Sequence, residues 1–246
     1  MTRTALALLA LLLAPPAFAQ TKSPAPPGGV PQAVPLPGIG SFDPRAPVSM
    51  GEAPWTSIGV VQTQGGGRCT GTLIAPDRVL TAAHCLLLVR TGDFTHPRGV
   101  SFLLGYERGR FRARGAVIGY QTGPGYDPAL RGPGREDWAI LTLAQPIRGV
   151  ALPLLDRPAA PRTPLVLGGY QQDQPEMILA DTGCRLLDLR GGLLLHDCAG
   201  TRGASGAPLL VRQGAGWAVA GIASRVAADM ALGQAVAVEM VRPALP

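Results

Sequence analysis

From Val48 onward the apolar residues fall in short runs closed by Gly, Pro or Asp, and this constrains the fold more than any other feature of the 246-residue chain. WTSIGVVQT, VSFLLGY, ARGAVIGYQ, DWAILTL, PLVLGGY, CRLLDL, GLLLHDC, APLLVRQ and WAVAGIAS all have this form. Helix-period patterns are scarce. Repeated short strands with turn signals between them predict an all-β sandwich or barrel. CRLLDLRGGLLLHDC reads as a hairpin turning at Gly191 and Gly192, because a two-residue glycine turn supplies the positive φ angles that a tight β-turn requires. The ~195 residues after Pro47 suit either one large β domain or two small barrels.

The N-terminal fifth of the chain has a different character. Residues 1–19 combine a basic start at Arg3, the apolar run LALLALLLAPPAF and an Ala-Phe-Ala end, the pattern of a cleavable secretory signal. The apolar core is shorter than the ~20 residues a spanning helix needs and is broken by Pro15 and Pro16, so no membrane span is expected after cleavage. Residues 20–47 are dominated by Pro, Gly, Ala and Ser and read as a tether or pro-segment. On that reading, chains starting at Gln20 and near Ala46 should be equally active. Export places the protein in a secreted or periplasmic, oxidising space, where four cysteines imply two disulfides. Of the three connectivities, Cys69 with Cys85 and Cys184 with Cys198 are favoured because each closes a local loop. His196 and Cys198 make one weak metal-ligand pair with no second, so no metal or other cofactor is expected.

Three segments carry the chemistry. In CTGTLIAPDRVLTAAHC, residues 69 to 85, the small Ala82 and Ala83 allow a tight turn after the strand VLT, which presents the imidazole of His84 at a strand end. Asp137 opens DWAILTLAQPI, at the mouth of an apolar strand where a carboxylate needs a partner. Asp93 and Asp127 lie in turn-like surroundings and are weaker candidates. In TRGASGAPLLV, Gly203 and Gly206 flank Ser205 and let the backbone bend so that the amides of Gly203 and Ser205 converge where an oxyanion would form. Taken singly, each segment also reads blandly, as a turn-capping histidine, a strand-capping aspartate and a glycine-serine turn.

Together and in this order, 53 and then 68 residues apart, the segments resemble the chymotrypsin/trypsin-like serine proteases, in which histidine precedes aspartate and aspartate precedes serine. MGEAPWTSIGVVQT and HDCAGTRGASGAP make the resemblance closer to the bacterial branch that includes the glutamyl endopeptidases. It covers nearly all of residues 48–242. It implies two antiparallel β-barrels, 48–147 and 164–246, joined by a linker over 148–163, with His84, Asp137 and Ser205 as the catalytic groups in the cleft between them. It also implies a protein or peptide substrate paired in extended form along Ser224, Arg225 and Val226. Activity should then rise as His84 loses its proton and should resist chelators.

The chain departs from the family at several positions. The glutamyl endopeptidases use a histidine where Ala223 stands, and trypsin-like enzymes use an aspartate where Ala199 stands in the substrate-binding region, so neither charged preference is supported. Ala204 replaces the aspartate through which the digestive members sense a newly exposed amino terminus, and that activation switch cannot operate. Arg202 and Arg225 are candidates for drawing acidic groups to the cleft. The alternative function is a latent or inactive secreted binding protein on the same fold. An esterase would share the nucleophile but lacks the G-x-S-x-G elbow and its chain order.

The formal charge is +6 with Lys22 as the sole lysine. Arg108, Arg110, Arg112 and Arg114 alternate with Gly109, Phe111 and Ala113, so a strand here would place four guanidiniums on one face. Such a stripe usually serves to solvate a strand edge. No nucleic-acid motif accompanies it, and no nucleic-acid partner is expected.

Overall fold

The computed structural model describes residues 36–149 and 151–245, so the signal sequence expected over 1–19 lies outside the described residues. The strands are β1 Ala46–Pro47, β2 Ile58–Thr63, β3 Arg68–Ala75, β4 Arg78–Thr81, β5 Val100–Leu104, β6 Ala113–Thr122 and β7 Ala139–Leu143, then β8 Pro164–Gln171, β9 Gln174–Arg190, β10 Leu193–His196, β11 Pro208–Gln213, β12 Gly216–Val226 and β13 Gly233–Ala237. Strands β2 to β7 close into an antiparallel barrel in the order β2-β3-β4-β7-β6-β5. In the second half the order β9-β10-β13-β12-β11-β8 returns on itself because β8 also pairs with β9, while β1 adds to β9 at Leu179 and Ala180. The architecture is all-β with two barrels, as the family resemblance implies.

Residue alternation explains why the strands read as nearly unbroken apolar runs. Successive side chains of a strand point to opposite faces, and a strand covered on both faces has no polar side. Val61, Val79, Phe102, Leu104 and Leu141 fill the first barrel, and Leu165, Leu167, Leu186, Leu209 and Val211 fill the second. Their chain neighbours Val60, Leu80, Leu103, Ile140, Val166 and Leu210 turn the other way, into a third cluster shared by the two barrels and completed by Trp55, Trp138 and Tyr170. Burying each such side chain stabilises by about 1.5–3 kcal/mol relative to leaving it in water. The connecting segment joins this shared layer: Leu152 and Leu154 are buried and Leu154 bridges Val219 of β12.

The β9–β10 hairpin turns at Gly191 and Gly192, both with positive φ, as the glycine pair predicts. The arginine stripe is not a strand face. Arg108 and Gly109 both have positive φ and form a tight turn bridged by Glu107 and Arg110, so β6 starts only at Ala113. Among the four arginines only Arg114 stands on β6; Arg112 instead reaches the carbonyls of Met50 and Thr56. A turn defeats the alternation on which the stripe was predicted.

The Pro-rich segment expected over 20–47 divides. Residues 36–47 form a strap against the second barrel. Gly38 accepts a hydrogen bond from the Gly200 amide at 3.0 Å, and Ile39 is buried. Arg45, whose side chain is fully covered, grips Asp43 and Asp173 at 2.8 and 2.7 Å and donates to Gln171 Oε1 at 2.6 Å. That same oxygen accepts the Thr201 amide at 2.8 Å, four residues before Ser205. Arg45 is therefore one hydrogen-bonded side chain away from the loop carrying Ser205, so a start near Ala46, expected from the sequence to leave activity similar, removes a contact that supports this loop. A chain beginning at Ala46 should be about 2–4 kcal/mol less stable, since it loses partly buried, charge-assisted hydrogen bonds. That corresponds to melting roughly 5–15 °C lower, and scanning calorimetry of chains starting at Gln20 and Ala46 would measure the difference.

Candidate active site

Register places the first two groups together. Thr81 at the end of β4 pairs with Ala139 at the start of β7, so the chain leaving β4 and the chain entering β7 meet at one rim of the first barrel. The chain leaving β4 makes a 3-10 turn, Ala83–Leu86, in which Ala82 and Ala83 are fully buried and His84 stays partly open to solvent. On the other side Asp137 follows another short turn, Gly134–Glu136, and is anchored by the buried indole of Trp138. His84 Nδ1 lies 2.8 Å from Asp137 Oδ2, and the His84 amide donates to Asp137 Oδ1 at 2.9 Å. Ser224 Oγ also donates to Asp137 Oδ2. Burial pushes the Asp137 carboxyl upward, but the hydrogen bonds from His84 and Ser224 outweigh it and hold the group below its ordinary value of 3.8. Asp137 is thus a buried carboxylate that fixes the His84 tautomer with the proton on Nδ1.

The Cys69–Cys85 disulfide ties this turn to β3, and β3 in turn receives the Ser205 loop. The Thr70 amide donates to the Ser205 carbonyl at 2.9 Å, and Thr70 Oγ1 donates to the Gly203 carbonyl at 3.0 Å. Gly206, with φ +78°, is pressed so closely on this strand end that a Cβ would sit 2.2 Å from the Thr70 carbonyl and 3.0 Å from the Ala82 nitrogen. Gly203, at φ +93°, leaves no room for a Cβ against the Tyr170 carbonyl. Both glycines are required for backbone shape and for close approach. Among the described residues, neither the Gly203 nor the Ser205 amide donates to any protein acceptor. Ser205 Oγ and His84 Nε2 likewise share no hydrogen bond; Nε2 lies 3.9 Å from the disulfide sulfur of Cys85.

Ser205 opens on a cavity of about 120 Å³ lined by Leu167, His196, Thr201, Ala223 and the Ser224–Val226 end of β12. The β11–β12 ladder ends at Ile222 and that edge makes its last hydrogen bonds at Ala223, to Gly206 and Ala207, so Ser224 to Val226 have no strand partner on that side among the described residues. Arg225 and Val226 therefore stand where the sequence predicts substrate contacts, whereas Ala199 is fully buried, bonded through its amide to Asp181, and does not line the cavity. The Arg225 guanidinium is engaged by the Arg131 carbonyl. The second disulfide, Cys184–Cys198, closes the base of the β9–β10 hairpin. All four cysteines are oxidised, so the sulfurs near His84 and near Asp197 are not thiolate ligands.

Two residues here escaped sequence reasoning. Ser224, expected to offer its backbone to substrate, also donates through its side chain to Asp137, and nothing local signals a partner 87 positions away. In sequence His196 reads only as half of a weak metal-ligand pair with Cys198. It ends the apolar run LLLH, and that pattern is the signal: strand alternation puts His196 on the same face as Leu194, inward.

His196 is 1% exposed, and burial holds its imidazole neutral, lowered from 6.5 to about 4 despite the opposing charge of Asp197. Because the folded value is depressed, the unfolded chain binds the extra proton between these two values. Stability from this group is fully present above pH 6.5 and is lost as the pH falls toward 4. The expected loss is about 3 kcal/mol. Urea titrations at pH 7 and pH 4 should show it, and a His196→Phe chain should show a flatter dependence over that window.

Two barrels with a buried carboxylate-histidine pair at the rim of one and a glycine-framed serine on the other define the chymotrypsin-like serine protease fold. The trypsin-like peptidase domain family matches residues 69–222, and the chain belongs to that family. A solved structure of a Glu endopeptidase in complex with MPD is similar in fold, with a TM-score of 0.72 and 20% identity over 84% of this chain and 98% of that one. No curated protein matches at the level of sequence. Among the described residues no helix is long and apolar enough to cross a membrane.

Proposed function

We propose that this protein is an exported serine endopeptidase that cleaves peptide bonds through His84, Asp137 and Ser205. The observation that carries the reading is the His84–Asp137 hydrogen bond at the barrel rim on which the Ser205 loop is seated through Thr70 and Gly206. Ser205 Oγ attacks the scissile carbonyl carbon and its proton passes to His84 Nε2. The electron pair displaced onto the carbonyl oxygen is received by the unoccupied amides of Gly203 and Ser205. Collapse of the tetrahedral species expels the amine, which takes the proton from His84, and leaves an acyl ester on Ser205. Water then repeats the sequence and frees Ser205. Asp137 keeps its charge throughout and stabilises the imidazolium. Every step uses groups of this chain.

The unpaired strand edge from Ser224 to Val226 supports an extended peptide as substrate. The two disulfides fit an oxidising compartment. One observation favours a latent form: Ser205 Oγ and His84 Nε2 are not hydrogen-bonded. Treatment of the secreted protein with a fluorophosphonate probe, followed by mass mapping, decides between the readings. Covalent modification of Ser205 that requires His84 is the expected result. An unmodified, correctly disulfide-bonded protein would reject the active-enzyme reading in favour of the latent form or binding protein.

A further inference from the structure

His196 lines the cavity beside Ser205 and carries an orphan donor. Its Nδ1 accepts the Cys198 amide at 3.2 Å, so in the neutral ring the proton resides on Nε2. That Nε2–H is buried and has no hydrogen-bond partner among the described residues. Buried polar groups are ordinarily paired, and one left open at the wall of a cavity is a place where a ligand atom belongs. The opposite strand makes room for the ring: a Cβ on Gly233 would lie 2.4 Å from His196 Cε1 and 2.7 Å from Nε2, so only glycine fits. Leu167, Ala204, Ala223 and Val226 give the cavity its apolar walls, and Thr201, Arg202, Ser224 and Arg225 line the rest beside Ser205.

We propose that His196 determines the specificity of this cavity by donating from Nε2 to the end of the substrate side chain preceding the cut, and that the preferred class is a carboxamide, glutamine or asparagine. The proposal rests on Ser205 being the nucleophile. A carboxamide oxygen completes the hydrogen bond without bringing a charge into a small, mostly apolar space. A carboxylate supplies the same acceptor but must give up its hydration opposite a ring that burial keeps uncharged at neutral pH. Three charged groups lie nearby. Asp197, the chain neighbour of His196, is turned to the Arg185 amide; Arg225 of β12 is bound to the Arg131 carbonyl; Arg202 is exposed. None of them forms an ion pair with His196. A cavity of about 120 Å³ suits a side chain of this size better than an indole.

The test compares peptides that differ only at the residue before the cut, carrying Gln, Asn, Met, Leu or Glu, with active sites titrated by the fluorophosphonate probe at pH 8. The expected result is a kcat/KM for Gln about 10- to 100-fold above that for Met, which matches it in length but lacks the acceptor. Glu should fall below Gln. In His196→Phe and His196→Leu chains the Gln-to-Met ratio should collapse toward one, read per titrated site so that partial misfolding does not enter. Equal rates for Gln and Met in the wild-type chain, Glu ahead of Gln, or an unchanged ratio in a variant that still titrates would each overturn the proposal. Titration of Ser205 without a Gln preference sinks this inference alone. Failure of Ser205 to react at all sinks the enzyme reading and this inference with it.

Discussion

A Ser205→Ala chain is expected to lose about 10⁵-fold in kcat/KM for peptide cleavage while keeping its melting temperature. The proposed mechanism places the whole covalent step on one oxygen, and no other hydroxyl in the segment is positioned to replace it. Thr201, the nearest, is 1% exposed and its hydroxyl accepts from Gln172. The residual rate should come from substrate binding and the Gly203 and Ser205 amides, which survive the substitution. A His84→Ala chain should fall by a similar factor, and the double variant should be scarcely worse than either single one, because the two groups act as a unit. Single-turnover kinetics with an ester substrate would check this. Additive losses in the double variant would show that Ser205 and His84 do not act together.

Asp137→Asn is expected to cost about 10⁴-fold in kcat with little change in KM. The carboxylate receives three donors, His84 Nδ1, the His84 amide and Ser224 Oγ. A carboxamide in the same space offers an N–H to one of them, and the simplest relief is for His84 to move its proton to Nε2. That nitrogen then cannot accept the Ser205 proton. Ser224→Ala removes only one donor and leaves the tautomer intact, so its loss should be nearer tenfold. Measured pH–rate profiles separate the two causes. A tautomer defect lowers the plateau, while loss of a donor to Asp137 shifts the position of the rise. Equal losses in the two variants would indicate that Asp137 serves only to hold the loop.

Much of the fold was legible because its determinants are local. Gly191-Gly192 demands a tight turn wherever it occurs, AIL and LLV declare strands buried on both faces, and LLLH declares one with a single inward face. The two local disulfides and the order of His84, Asp137 and Ser205 were legible for the same reason: each depends on residues a few positions apart or on a motif intact in itself. Arg108 to Arg114 misled because alternation is equally visible in a strand and in a turn that precedes one, and only the positive φ of Arg108 separates them. The strap at 36–47 was invisible for another reason. Its composition is that of a tether, and its order comes from Arg45 finding Asp173 and Gln171, 128 and 126 positions away.

The sequence by itself determined the class of the molecule: strand-forming runs, turn glycines and three chemical segments whose residue types admit nucleophilic acyl transfer. Tertiary structure alone decided which surfaces meet. The pairing of Thr81 with Ala139 sets His84 beside Asp137, the folding back of β12 brings Ser224 to the same carboxylate, and the curvature of the second barrel turns His196 toward the space beside Ser205. The first two contacts join residues 58 and 87 positions apart, and their energies arise only after the chain has closed, so no local pattern can encode them.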